Sequence, residues 1–308
     1  MQDDRRCFVQ FIHPGGEHWP DQDGVKNWNF GSHRRKFLVG PGQYVDAGQM
    51  RDGEIVFWGE WEPESRVVER YQQRLPDGPQ FLYEPFFVEP DRYDTRRQNT
   101  DPFVFGDQFH YTWCLQNTKR GETQLRHLAR GSVILFGSCL QKRFVIDTVF
   151  VVADYIDHSA RDYRDKLDGA VSSIYERVTI TTGYGQLGES SLVHRLYFGA
   201  TYGRALDAMF SFFPCRPRAE APNGFARPTI FIPGHITPKL TQGKKIARLT
   251  TGQEARDLWG KVCRQVREQG LALGVRAELP PLQSDKPPPA GSDDLQLQTD
   301  TAVRGRRC

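Results

Sequence analysis

The chain has 308 residues, a net charge of +3 at pH 7 and a hydrophobic fraction of 38%. This length suits one large domain or two ordinary ones, and so small a charge does not by itself indicate a nucleic-acid partner. No run of about 18 apolar residues occurs, so we expect no membrane-spanning helix and no membrane partner.

The six cysteines are scattered along the chain without a CxxC pair. This spacing favours free thiols in a reducing cytosol over a disulfide framework or a cysteine-rich zinc site. The N-terminal segment MQDDRRCFVQFIHPGG lacks the apolar stretch of a signal peptide. We therefore expect a cytoplasmic protein, and we predict neither a metal nor a cofactor.

Residues 1–156 contain five of the six tryptophans and several short β-type runs bounded by Gly, Pro, Asp and Asn. The runs span 7–12, 54–61, 103–114, 132–137 and 144–153. Strands of this length with turns between them predict an aromatic-rich β-barrel or sandwich.

Residues 157–279 have a mixed pattern and are expected to buttress that barrel. Apolar residues at helical spacing predict a helix over 163–178, and residues 179–202 read as strands around a glycine-rich turn. The predicted fold class is therefore α+β, with a mixed, mainly antiparallel barrel and packed helices.

A second helix is expected to begin after Thr251, because Thr251 and Glu254 form a capping-box pattern. Gly270 fits the end of this helix, and a strand over 271–279 follows. Residues 280–308 are rich in proline and polar side chains, so they are predicted to form a disordered tail.

An aromatic residue is followed by a basic run in the segment 24–36, GVKNWNFGSHRRK. Trp28 offers a flat face on which a base can stack, an interaction worth about 1–3 kcal/mol. The donors that follow can contact phosphate oxygens; they are His33, Arg34, Arg35 and Lys36. The alternative is a solvated basic turn beside a core tryptophan.

Alternating residues in FWGEWEPES, residues 57–65, predict a strand with two different faces. Trp58, Glu60 and Glu62 share one face. Trp61 lies on the other. The carboxylates can accept hydrogen bonds from a base, or act in acid–base catalysis if burial raises a pKa. The alternative is a plain amphipathic strand with an exposed acidic face.

The loop HPGGEH, residues 13–18, places His13 and His18 close together with a glutamate. A metal site would need a further ligand from elsewhere in the fold, such as His110. We interpret the segment as an unligated binding loop.

Three further polar positions flank or interrupt the predicted strands. Asn99 and Asp101 read as a turn before a strand, or as polar anchors for a ligand. Asp147 interrupts an apolar run, where a carboxylate is costly to bury unless it is paired. It is either a structural partner or a pocket residue, and Ser138 would lie at the mouth of the barrel.

The segment 128–152, LARGSVILFGSCLQKRFVIDTVFVV, resembles the central strand pair of PUA-like domains of the EVE and ASCH types. In those domains a Gly-polar turn opens an apolar strand that ends in a small polar residue, and a second strand follows. The matching positions are Gly131, Ser132, 133–136, Ser138 and 146–151. A second stretch, DGVKNWNFGSHRRKF followed by MRDGEIVFW, is similar to an EVE-type segment through Gly24, Val25, Lys26, Asn27 and Trp28.

PUA-like domains are small barrels that hold a base, often a modified one, in an aromatic-lined pocket. The resemblance covers at most residues 1–156 and implies that Trp28, Trp58 and Ser138 are pocket residues. The chain also looks broadly like proteins found with bacterial nucleotide-modification and phage-defence systems, which implies protein partners from such systems.

Three functions follow from these patterns. The first is a module that binds a nucleic-acid or modified nucleotide base, with Trp28, Trp58 and Trp61 around a cleft and residues 33–36 on phosphate. The second is an enzyme acting on such a base, whose acid–base candidates are His13, His18, Glu60 and Glu62. The third is a protein-interaction scaffold.

Overall fold

The structure is a computed structural model that describes residues 5–20, 34–72, 75–88, 100–118, 120–187 and 192–283. Its strands in chain order are β1 (Cys7–Ile12), β2 (Lys36–Asp46), β3 (Gln49–Gly59), β4 (Ser65–Arg70), β5 (Phe81–Pro85), β6 (Phe87–Val88), β7 (His110–Tyr111), β8 (Asn117–Thr118), β9 (Gly121–Glu122), β10 (Val133–Leu140), β11 (Arg143–His158), β12 (His194–Gly199), β13 (Phe213–Pro217), β14 (Gly243–Arg248), β15 (Ala272–Ala277) and β16 (Leu282–Gln283).

The first six-stranded sheet has the order β14–β1–β10–β11–β12–β7. The β1–β10 pair is parallel, and the other pairs of this sheet are antiparallel. The long strand β11 pairs with β10 along its first part and with β12 along its second part. β11 therefore connects the two halves of the sheet.

The second six-stranded sheet has the order β15–β13–β3–β2–β5–β4, and β15 also pairs with β2. Four antiparallel pairs form a closed cycle of strands that begins and ends at β2. They are β2–β3, β3–β13, β13–β15 and β15–β2. The β2–β5 pair is parallel. Both large sheets are therefore mixed.

Strands of both sheets bury side chains on both faces. In β1, Phe11 packs in one apolar cluster and Phe8 in the other, and in β3 the same holds for Phe57 and Trp58. Strands covered on two sides need apolar residues at consecutive positions. This requirement explains the uninterrupted apolar run at 133–136.

Residues 157–279 supply strands to both sheets, as well as helices that pack on them. β12 and β14 belong to the first sheet, and β13 and β15 to the second. β11 also runs across the expected boundary at residue 156. Composition separated the two regions along the chain, but long-range strand pairing joins them in the fold.

The first helical region differs from the predicted single helix over 163–178. It consists of α1 (Tyr163–Leu167), α2 (Ser173–Tyr175), a π-helical turn over 176–181 and α3 (Thr182–Leu187). Gly169 has a φ of +66°, a left-handed conformation that interrupts the helix and that glycine adopts readily. Residues 179–187 are thus helical, and the prediction of a strand there was wrong.

The second helix, α4 (Gly252–Glu268), confirms the prediction made from its cap. The Thr251 side chain accepts a hydrogen bond from the Glu254 backbone N–H at 3.1 Å. Leu258, Val262 and Val266 form the buried stripe. The helix packs against the apolar cluster that contains Phe8 and Trp58.

The observed class is α+β with mixed sheets, as predicted. The closed PUA-like barrel implied by the resemblance stays a prediction. Leu282, inside the predicted tail, pairs with Phe87 in a short parallel bridge, and residues 284–308 lie outside the described residues. Across the described ranges, no helix has both the length and the apolar character needed to span a bilayer.

Candidate functional site

A buried charge network lies where the ends of strands from the two sheets meet. Arg35, just before β2, is 1% exposed. Its Nη1 atom is 3.0 Å from Glu60 Oε2, and its Nε donates to Asp147 Oδ2 at 2.9 Å. The guanidinium also contacts His13 Nδ1. Asp147 lies in β11 of the first sheet, and His13 directly follows β1 of the same sheet. Arg35 therefore links the two sheets through charge-assisted hydrogen bonds.

A second arginine completes this network from the loop before residue 228. Arg227 Nη1 donates to Ser138 Oγ at 3.1 Å and to Asp147 Oδ1 at 3.4 Å, and Nη2 donates to the Gly15 carbonyl at 2.5 Å. Its Cζ atom also lies 5.0 Å from the centre of the Trp58 ring. Two arginines therefore balance the two carboxylates.

The two arginines differ in the direction of their pKa shifts. Burial lowers the pKa of Arg227, and Asp147 only partly offsets this. Burial acts in the same direction on Arg35, but Glu60 and Asp147 together hold its pKa above the usual value. Arg35 is therefore the better-compensated cation of the network.

Four of the candidate residues lie together in this network: His13, Arg35, Glu60 and Ser138. The side chains of His13 and Glu60 are 9% and 3% exposed, and His13 Nδ1 is 3.5 Å from Glu60 Oε2. A ligand could reach these groups only by displacing buried ion pairs. These ion pairs explain why the carboxylate of Asp147 is buried. Asp147 is a structural partner of Arg35 and Arg227.

Two of the three tryptophans expected to border a cleft, Trp58 and Trp61, are core residues. Trp58 and Trp61 are 3% and 1% exposed. The indole N–H of Trp58 donates to the Phe225 carbonyl at 2.8 Å, and that of Trp61 to the Glu64 carbonyl at 2.7 Å. Alternation along β3 separates two apolar clusters, so the expected exposed acidic face does not exist at Glu60, which is 5% exposed.

The other described candidates lie close to this network, and Glu62 interacts electrostatically with Arg35. The His18 backbone N–H donates to the Arg35 carbonyl at 2.9 Å, and the Glu62 backbone N–H donates to Thr100 Oγ1 at 3.1 Å. Lys36 Nζ donates to the Pro63 carbonyl at 3.1 Å, and burial lowers its pKa to about 8. Arg34 donates to the Glu17 carbonyl at 3.1 Å.

Three predicted ligand-binding residues lie outside the described residues: Trp28, His33 and Asn99. Their predicted contacts with a base or phosphate stay predictions.

Asp101 organises a turn of the backbone. Its carboxylate accepts the N–H groups of Thr112, Trp113 and Cys114 at 2.8–2.9 Å. Burial nevertheless raises its pKa to about 6, against the effect of these donors. The oxygens of Asp101 are thus committed to the backbone of residues 112–114, and the turn predicted over 99–102 begins outside the described residues.

The structure adds a pocket of about 320 Å³ that sequence reasoning missed. Segments 105–110, 169–172 and 276–279 line it. His110 lies in its wall and is 6% exposed. Its backbone N–H and carbonyl both pair with Phe103 at 2.9 Å, which fixes the position of the residue.

The ring of His110 is held by aromatic contacts. It stacks on Tyr175 with 4.6 Å between ring centres and meets Phe198 edge-on at 5.3 Å. Neither ring nitrogen has a hydrogen-bond partner within the described part of the chain. Burial lowers the His110 pKa to about 3, so the ring is neutral at physiological pH.

A neutral imidazole offers one donor and one acceptor. Leaving such a group buried without a partner costs about 1–3 kcal/mol, so a ligand that supplies both partners recovers that free energy. The sequence suggested His110 only as a further ligand for a metal site at residues 13–18. Its contacts with Tyr175 and Phe198 could not be predicted, because these residues come from distant parts of the chain.

Within the ranges that the structure describes, no group of three or more His, Cys, Asp or Glu side chains could hold a metal ion. Comparison of the chain with protein-family models, curated proteins and solved structures found no match in any of the three.

Proposed function

We propose that the protein binds a nucleotide or a nucleic-acid base, including a modified base, in the pocket beside His110. The observation that carries this proposal is the neutral His110 ring, which borders the pocket and whose two buried nitrogens have no partner among the described residues. The pocket volume of about 320 Å³ is at the lower end of the range of about 300–1,000 Å³ typical of small-molecule sites.

A base fits this wall chemically. A nucleobase edge offers both hydrogen-bond donors and acceptors, so it can pair with one ring nitrogen of His110 in either neutral tautomer. Leu279 also lines the pocket and is 36% exposed, so it adds an apolar surface against which a base can pack. Gln108 adds a further amide group.

The same proposal includes a PUA-like barrel fold, a cytoplasmic location and protein partners from a nucleotide-modification or phage-defence system. The cycle of pairs β2–β3–β13–β15–β2 supports the barrel. Its strands come from both halves of the chain, whereas the resemblance covers only residues 1–156.

A second candidate function is catalysis on a base. The contact of 3.5 Å between His13 Nδ1 and Glu60 Oε2 favours it, because a histidine beside a carboxylate is a common acid–base pair. This function requires that the substrate displace the buried ion pairs of Arg35. Product formation by the wild-type protein, lost in Glu60→Gln protein that remains folded, would support this function. Unchanged turnover in that variant would exclude it.

The binding proposal is tested by calorimetric titration with nucleosides and short single-stranded oligonucleotides. We expect His110→Phe to weaken binding about 5–12-fold, because one hydrogen bond of about 1–1.5 kcal/mol is lost. The same change removes unpaired buried nitrogens, so thermal stability should be unchanged or higher.

The matched control is His194→Phe. His194 is 3% exposed and does not line the pocket, so this variant should keep the wild-type affinity. Equal affinity of wild type and His110→Phe, or no binding of any base-containing ligand by the wild type, would contradict the proposal.

A further inference from the structure

A second pocket adjoins the His110 pocket. Its volume is about 390 Å³, and Gln108 and Ala170 line both pockets. The Gln108 side-chain amide donates to the Gly199 carbonyl at 2.9 Å, which fixes this shared wall. A ligand whose base lies beside His110 would therefore have its remaining part next to the second pocket.

Two arginines line the second pocket, Arg130 and Arg204. Both are exposed, and neither forms an ion pair with another described residue. Some exposed arginines elsewhere do form ion pairs, as Arg51 does with Asp46 at 3.7 Å. The carboxylate of Asp154 also lines this pocket, so cations exceed anions by two to one among its charged lining residues.

The backbone at each arginine is held in place although the side chains are exposed. The Arg130 carbonyl accepts a hydrogen bond from Arg6 Nε at 3.2 Å. The Arg204 backbone N–H donates to the Thr201 carbonyl at 3.1 Å and to its hydroxyl at 3.2 Å. Both arginines thus line one pocket from backbone positions that are held by hydrogen bonds.

A third pocket provides a useful contrast. It has a volume of about 330 Å³ and contains Arg216 and Arg267, but Asp46 and Glu220 line it as well. Its charges are therefore balanced, and Arg216 Nε already donates to the Gly270 carbonyl at 2.8 Å. The excess of cations is a property of the pocket next to His110.

We propose that the second pocket holds the phosphate of the ligand, so that the ligand class is a nucleoside phosphate; this inference rests on the proposed function. Guanidinium groups match phosphate oxygens in charge and in donor geometry. Asp154 cannot bind the phosphate, but its carboxylate can accept hydrogen bonds from ribose hydroxyls.

The test compares the four ribonucleoside 5′-monophosphates with the four nucleosides by calorimetric titration of the full chain. Wild-type protein should bind at least one monophosphate tenfold or more tightly than its nucleoside. Arg130→Gln/Arg204→Gln protein should lose this preference. Arg120→Gln/Arg256→Gln protein, which loses the same charge at exposed positions outside the pocket, should keep it.

The outcomes separate the two proposals. Equal wild-type affinity for nucleoside and monophosphate overturns the phosphate site and leaves base binding intact. A preference that persists in the Arg130/Arg204 variant also overturns it, as does inorganic phosphate binding as tightly as the monophosphate. Failure of every nucleoside and monophosphate to bind overturns base binding, and the phosphate site with it.

Discussion

Arg35 joins parts of the structure that are distant in sequence. It precedes β2 in the second sheet, and its partner Asp147 belongs to β11 in the first. Glu60, just after β3, occupies the other side of the guanidinium. Buried charges of this kind contribute little net stability when paired, but removing one partner leaves the others uncompensated. The position of Arg35 between two carboxylates makes it the most sensitive member.

We predict that Arg35→Met lowers the free energy of unfolding by about 3–5 kcal/mol, because Glu60 and Asp147 would remain buried without their shared cation. Urea unfolding followed by tryptophan fluorescence measures this change. The control is Arg66→Met, which breaks the ion pair between Arg66 and Glu84. Their side chains are 51% and 40% exposed, respectively.

Solvent screens the Arg66 pair, so its removal should cost no more than about 1 kcal/mol. Losses of equal size in the two variants would show that the network is no more important to stability than an ordinary surface pair.

At the scale of elements, local patterns predicted what depends on neighbouring residues. β1 was predicted at its observed bounds, and α4 was predicted from its cap and apolar stripe. The helix over 163–178 was predicted too long, because the periodic apolar positions continue across Gly169, where the backbone turns.

The candidate site shows the same limit. The sequence identified Arg35, Glu60 and His13 as functional candidates, and they do lie together. It gave no indication of Arg227, which enters the network from a loop more than 80 residues after Ser138. Contacts of this kind depend on which strands pair, and no local pattern encodes that choice.

The N-terminal cap of α4 should make a measurable contribution to stability. Thr251→Ala should lower the free energy of unfolding by about 1 kcal/mol, because the Glu254 N–H would lose its acceptor. Denaturant unfolding measures the loss. Gln253→Ala, an exposed change in the same turn, should shift stability by less than about 0.5 kcal/mol. Equal effects of the two changes would mean that the cap does not stabilise the helix.

The whole molecule keeps several ionisable side chains inside its apolar clusters. Burial lowers the pKa values of His110 and His158 to about 3 and that of His194 to about 4. His158 is held by Thr112 Oγ1 at 3.0 Å and by the Tyr184 hydroxyl at 2.7 Å. These three imidazoles are neutral in the folded protein at pH values where an unfolded chain protonates them.

Asp101 has the opposite effect on stability. Burial raises its pKa from 3.8 to about 6, so between these values the folded state binds the additional proton. Its contribution to stability is therefore largest below pH 3.8 and declines as the pH rises to about 6. Burial also raises the pKa of Glu17, so two carboxyl groups offset part of the effect of the three histidines.

The free energy of unfolding should consequently fall as the pH is lowered from about 6.5, the usual histidine pKa, towards 4. Between these values the unfolded state binds protons that the folded state excludes, which costs about 2 kcal/mol per histidine at pH 5. Urea unfolding at pH 7.5, 6.5, 5.5 and 5.0 measures the decline. In His110→Phe protein, the decline in the free energy of unfolding should be smaller by the contribution of one histidine. In His127→Gln protein, which is changed at a partly exposed position, the decline should be nearly the same as in the wild type. Stability that is constant from pH 7.5 to 5.0 would contradict burial of the three neutral rings.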